Sequence, residues 1–241
     1  MEKRYSILIF CILAITLVLV LFWKPAADQV AKSVPVSTPA AATTTLGTAG
    51  QSSSTLSYGQ TVSDGVITLG VPTSLFGLAT NEQQVLSKSY IPPCDDGFKY
   101  CLYYMGHEYD GTNFESAGVS VQPRTDLADE GTCLNTAPTG FSSSTVPSST
   151  FSSDTYSSSV FNNIGDAAAG HSATGSLYRL YVTNSGSCYE FETRVGESDF
   201  ENYPKGAIQE FTSADMSKVQ GELKGILNNI SLPSGEKNLF S

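Results

Sequence analysis

Between Tyr5 and Trp23 the chain runs for 19 residues without a charge, YSILIFCILAITLVLVLFW. At about 1.5 Å per residue, a helix of that length crosses most of a hydrocarbon core about 30 Å thick. The stretch is therefore read as one transmembrane helix. Lys3 and Arg4 precede it and Lys24 follows, which under the positive-inside rule tilts the N-terminus toward the cytoplasm and the remainder outside. A cleaved signal peptide is the competing reading, with Ala26-Ala27 and the alanines near Ala40 as small residues for a cleavage site. Its apolar core is usually about 7–15 residues, so the longer run favours an uncleaved signal anchor over residues 1–27. Phe10 is too bulky for a lipobox ahead of Cys11, and no glutamate marks the start of the run as in a type IV pilin helix.

Residues 28–60 change character. Ser, Thr, Ala, Gly and Pro supply 22 of these 33 positions, a composition that buries no core. It reads as a flexible linker with a coil span of about 30 Å. The remaining domain, 61–241, carries 9 basic against 21 acidic residues, a net −12, while the whole chain stands at −10. Duplex affinity rests on Lys and Arg neutralising phosphates, so nucleic acid is not expected as a partner.

Within 61–241, short apolar or alternating runs bounded by turn residues predict strands at Val66–Val71, Val85–Ile91, Phe98–Met105, Ser116–Val121, Ser176–Val182 and Ser187–Val195. Aromatic and β-branched enrichment in Lys99–Tyr104 and Leu177–Val182 supports extended backbone. From Ser213 to Leu227 the period changes: Met216, Val219, Leu223 and Ile226-Leu227 recur at three and four. That predicts an amphipathic helix with Ser213 as N-cap and no complete capping box, since Met216 stands three residues on. Ile230-Ser231-Leu232 offers a short last strand. The expected class is α+β, an antiparallel sheet with the C-terminal amphipathic helix packed on one face. Residues 141–160 interrupt it with 13 Ser or Thr in 20 positions. They read as a surface loop, against the alternative of a segment docked on the sheet through its recurring apolar residues.

Four cysteines, Cys94, Cys101, Cys133 and Cys188, follow the membrane segment, and an even number in that setting points to disulfides in an oxidising compartment. Asp95-Asp96-Gly97 is a strong turn signal, which pairs Cys94 with Cys101 across a tight hairpin and leaves Cys133 with Cys188. The long loop is worth about 4 kcal/mol in the chain-entropy model and the short one about 2.5. The spacings do not fit a structural zinc site.

Two histidines bound any imidazole chemistry. In Gly106-His107-Glu108-Tyr109-Asp110-Gly111 an extended backbone puts His107 and Tyr109 on one side and Glu108 and Asp110 on the other, and the flanking glycines suggest a turn between strands. Glu108, Asp110 and Glu115 form a conceivable hard-cation set. Gly170-His171-Ser172 lacks the nucleophile-elbow form, and Gly165 to Gly170 has P-loop spacing but His171 in the lysine position. Eight of the twelve tyrosines, Tyr100, Tyr103, Tyr104, Tyr109, Tyr178, Tyr181, Tyr189 and Tyr203, are candidates for a recognition surface or for sheet packing.

The succession Tyr90-Ile91-Pro92-Pro93-Cys94, Tyr100-Cys101-Leu102-Tyr103-Tyr104, Gly111–Ala117, Gly170-His171, Tyr178-Arg179, Cys188-Tyr189-Glu190, Asn202–Gly206 and Glu210-Phe211 resembles an uncharacterised family of membrane-tethered extracytoplasmic bacterial domains, over roughly Val66–Leu232. The closing helix and strand are distantly similar to the Mog1/PsbP-like fold, an antiparallel sheet covered by helices. The resemblance implies no activity.

The chain is thus expected to be a single-pass cell-membrane protein with a disulfide-stapled domain outside the cytoplasm, acting as a binding or interaction module for an envelope protein or glycan. Candidate binding residues are Tyr103, Tyr104, His107, Tyr109, Asn113 and Glu115; no catalytic residue, metal ligand or cofactor is assigned. A hydrolase or metal-dependent enzyme at His107 and its carboxylates is the alternative, and a structural envelope component is a third. An enzyme needs His107 or His171 in a cleft with a carboxylate in reach, and a binding module needs an open tyrosine-rich patch.

Overall fold

Apolar and polar side chains alternate from Tyr189 to Val195, and a period of two sends them to opposite faces of a strand. The computed structural model describes residues 56–85, 90–138 and 145–240, all within the compact unit Gln51–Ser241. The predicted membrane helix and most of the linker lie outside the described residues. Among those described, no helix is long and apolar enough to cross a membrane.

A small hairpin opens the domain, β1 (Tyr58–Ser63) against β2 (Thr68–Pro72). Seven further strands form one antiparallel sheet: β3 (Phe76–Ala79), β4 (Tyr100–Tyr104), β5 (Phe114–Pro123), β6 (Ser149–Ser152), β7 (Tyr156–Ala168), β8 (His171–Val182) and β9 (Ser187–Ser198). Their order is β3-β4-β5-β9-β8-β7-β6, so the four longest strands lie together at positions three to six. A short helix, α1 (Glu130–Asn135), follows β5, and α2 (Ser213–Leu227) closes the chain's regular structure. Thr68 and Ser231 form a single bridge, which ties the predicted last strand to β2.

One face of the sheet is apolar. Val219, Leu223, Ile226 and Leu227 of α2 are fully buried in one cluster with Leu102, Val119, Leu180 and Phe191. Each such aliphatic contributes about 1.5–3 kcal/mol when removed from water. The helix begins one residue earlier than its sequence pattern suggests. Thr212 is the N-cap, its hydroxyl accepting from the Asp215 amide while the Asp215 carboxylate accepts from the Thr212 amide. A complete capping box therefore exists with Asp at the third position.

The opposite face carries Glu190, Glu192 and Arg194, and two covers lie over it. Residues 91–97 cross the sheet so closely that a Cβ on Gly118 would sit 2.6 Å from the Pro93 carbonyl oxygen. Helix α1 is the other cover, where the Leu134 carbonyl accepts from Ser159 Oγ at 2.8 Å. Disulfides Cys94–Cys101 and Cys133–Cys188 join the covers to β4 and β9, the pairing expected from spacing.

Two expectations are corrected. The described part of residues 141–160 is the hairpin β6–β7 and not a loop: β6 lies on the surface as expected, but β7 enters the sheet because its hydroxyls find partners inside the fold. Ser157 donates to Glu130 Oε1 at 2.6 Å and Ser158 to the Leu239 carbonyl at 2.8 Å. Satisfied in that way, Ser157, Ser158 and Ser159 are buried. The strand expected at Val85–Ile91 is absent at its described ends: Val85 closes a short 3₁₀ turn, Glu82–Gln84, and Tyr90 and Ile91 sit in bends.

Candidate functional site

Three loops meet at one end of the sheet: residues 105–113 between β4 and β5, the tight tip of β7–β8 at Ala169-Gly170, and residues 199–211 between β9 and α2. Both tip residues have positive φ, 54° and 80°, as a two-residue hairpin turn twisted like its strands requires. The strand emerging from that turn begins with His171.

His171 is the centre of the site. Its Nδ1 is hydrogen-bonded to Glu115 Oε1, with both side chains mostly buried. Facing a carboxylate, Nδ1 is the donor, which fixes the tautomer and leaves Nε2 free of that bond. Glu115 stands at the irregular step where β5 shifts register on β9. Its second oxygen accepts from the Ile91 amide at 3.0 Å, and the Ile91 carbonyl accepts from Ser116 Oγ at 2.6 Å. The cover segment is thereby locked beside the imidazole, and the Tyr90 ring stacks on His171 at 4.0 Å between centroids.

Around this pair lie two clefts. The larger, about 870 Å³, is lined by His171, Glu197, Asp199, Phe200, Glu201 and Glu210 among others. Burial, and then Glu210, push the Glu197 carboxyl above its ordinary pKa. The smaller cleft, about 520 Å³, takes in Tyr103, Tyr104, His107, Tyr109 and Glu115, five of the six residues proposed from sequence. The two clefts are not equivalent, and neither are those residues.

His107 is 89% exposed, paired with Asp110 at 3.0 Å. The segment is the turn that its glycines suggest, so residues three apart meet and the alternation of an extended backbone does not apply. Glu108 pairs with Lys218 of α2 at 2.5 Å. Tyr109 turns inward and packs with Tyr104, Phe114 and Phe211. Burial, followed by Glu222 and Glu108, pushes the Tyr104 hydroxyl up to about 12, and Tyr109 is likewise raised, by burial first and then Glu108. Asn113 is 4% exposed and acts as a clamp: Nδ2 donates to the Ser198 carbonyl at 2.7 Å, and Oδ1 accepts from the Phe211 amide at 2.6 Å. Among the described residues no three His, Cys, Asp or Glu side chains converge to hold a metal ion.

Sequence reasoning passed over Tyr90, Glu197, Phe200 and Glu210. Phe200 had a signal, an apolar ring inside Asp199-Phe200-Glu201, where an acidic loop otherwise gives it nothing to pack on. A third cavity, about 370 Å³, opens on the ionic face beside Asp95, Arg124, Asp126, Glu190 and Glu192.

No family model matches the chain, and no curated protein does. Among solved structures it is similar to the 1.9 Å crystal structure of the Saccharomyces cerevisiae Ran-binding protein Mog1p, at 13% identity and a TM-score of 0.37, over 73% of this chain and 96% of that one. An overlap so loose carries no functional argument.

Proposed function

We propose that the chain is a non-catalytic binding module, held at a cell membrane by residues 5–23 with the described domain outside the cytoplasm. One observation carries the binding reading. Of the six large apolar side chains exposed among the described residues, Tyr90, Phe200 and Tyr203 belong to the loops around His171. Tyr90 covers the imidazole, Phe200 lines the large cleft, and Tyr203 is held by Ser198 at 2.8 Å. Aromatic rings left open beside a cleft, on segments pinned to a rigid sheet, suit recognition. The two disulfides suit an oxidising compartment. Full-length protein should fractionate with membranes, and protease added outside spheroplasts should cleave the domain. Crosslinked in its native envelope, it should capture a partner that the Phe200→Ala variant loses; identical capture by both would defeat the binding reading.

A second reading is favoured by the His171–Glu115 pair, which has the form of a general base with its orienting carboxylate. Both histidines line a cleft with a carboxylate in reach, but His107 is 89% exposed while His171 and Glu115 are mostly buried, so the enzyme reading rests on His171. Hydrolysis of ester or amide probes that is lost in His171→Ala and kept in His107→Ala would establish it.

A further inference from the structure

The charge of the large cleft is one-sided. Among the described residues, Glu197, Asp199, Glu201 and Glu210 line it, and no lysine or arginine does. The imidazole that shares the cleft has Nδ1 committed to Glu115. Ala167 to Gly170 contribute small side chains to the same lining. Phe200 stands between two of them in sequence and is 37% exposed. Tyr90 presents a 62% exposed ring on the neighbouring histidine.

Carboxylates and aromatic faces attract the same kind of group, a cation with a flat apolar surface. A guanidinium meets both demands, because it forks onto carboxylates and stacks on rings. At about 870 Å³ the cleft is near the upper end of the small-molecule range and has room for several residues of an extended chain. Resting on the binding reading above, we infer that the large cleft docks an arginine-bearing segment of a partner protein, with Glu197 and Glu210 pairing its guanidinium groups and Phe200 and Tyr90 stacking on them. Charge complementarity selects this partner. Such a segment also relieves the repulsion between Glu197 and Glu210, which folding alone leaves in place.

Calorimetric titration of the full chain in a neutral detergent with hexa-arginine tests this. Binding should weaken about tenfold in a Glu197→Gln, Glu210→Gln double variant, the equivalent of two lost surface ion pairs, and about threefold to fivefold in Phe200→Ala or Tyr90→Ala. A charge-matched Asp96→Asn, Asp154→Asn variant, altered at exposed sites elsewhere, should bind as the parent does. Absence of binding overturns the inference, as does equal weakening by the control variant, which would mean bulk attraction only. Spermine binding as tightly as hexa-arginine would replace the peptide with a small amine. If the envelope capture succeeds while hexa-arginine fails, the cationic partner falls and the binding module stands.

Discussion

The two faces of the seven-stranded sheet are made by alternate residues of the same strands, yet they are held by different physics. Tyr189, Phe191 and Val195 of β9 join the apolar cluster under α2. Glu190, Glu192 and Arg194, their immediate neighbours, enter an ion-pair network that includes Arg124, Arg179 and Asp95. Arg179 is only 1% exposed and pairs with Glu190 at 2.5 Å. The first face gains from removing carbon from water, which is insensitive to pH. The second must recover the cost of dehydrating charges by pairing them well, and both disulfides are placed in the covers that exclude water from it.

The largest effects should come from the apolar face and from the longer crosslink. Leu223→Ala should cost about 4 kcal/mol in denaturant unfolding, with little dependence on pH. Cys133→Ser with Cys188→Ser opens a loop of sequence separation 55 and should cost about the same, about 4 kcal/mol. A loss below about 1 kcal/mol would mean that α1 stays on β9 without its tether. On the ionic face, Arg179→Met should cost about 3 kcal/mol because Glu190 keeps a largely covered charge with one partner fewer. The cost should shrink in a Glu190→Gln background, and a double-mutant cycle showing simple additivity would break the claim that the pair acts as a unit.

The contrast also sharpens through pH. Burial, and after it Asp95, push the Glu192 carboxyl up from 4.5 to about 8. A carboxyl raised in the fold binds its proton more tightly there than when unfolded, so stability declines as pH rises from about 4.5 to about 8. Asp64 behaves oppositely. Burial pushes it up, but the Ile67 and Val66 amides, Lys99 and Tyr189 more than offset that and hold it at about 2. Its contribution is present above its ordinary value of 3.8 and is lost as pH falls from there toward 2. Urea unfolding between pH 5 and 8 should flatten in Glu192→Gln, and a parent curve already flat in that window would remove Glu192 from the account.

Much of the apolar face was legible because it is local. Met216, Val219, Leu223 and Ile226 recur at helical spacing, and the helix lies where they put it. The cysteine pairing was legible because one turn, Asp95-Asp96-Gly97, decided it by leaving two thiols over. Glu190, Glu192 and Arg194 were visible as an alternation, but alternation says only which face a side chain takes. Whether water or a cover waits there depends on residues 91–97 and α1, remote in sequence. The serine hairpin escaped for a related reason: Ser158 is satisfied by a carbonyl 81 residues away. The site was half legible. Its tyrosines were seen, but the bond between Glu115 and His171 spans 56 residues, and no local pattern announces it.

Asn113 belongs to the wall of the large cleft and, through two short hydrogen bonds, to β9 and to the chain entering α2. Widening the cleft at that wall means tearing the amide from a strand end or from the helix approach. That wall of the cleft is therefore set in place by the fold itself, before anything enters it.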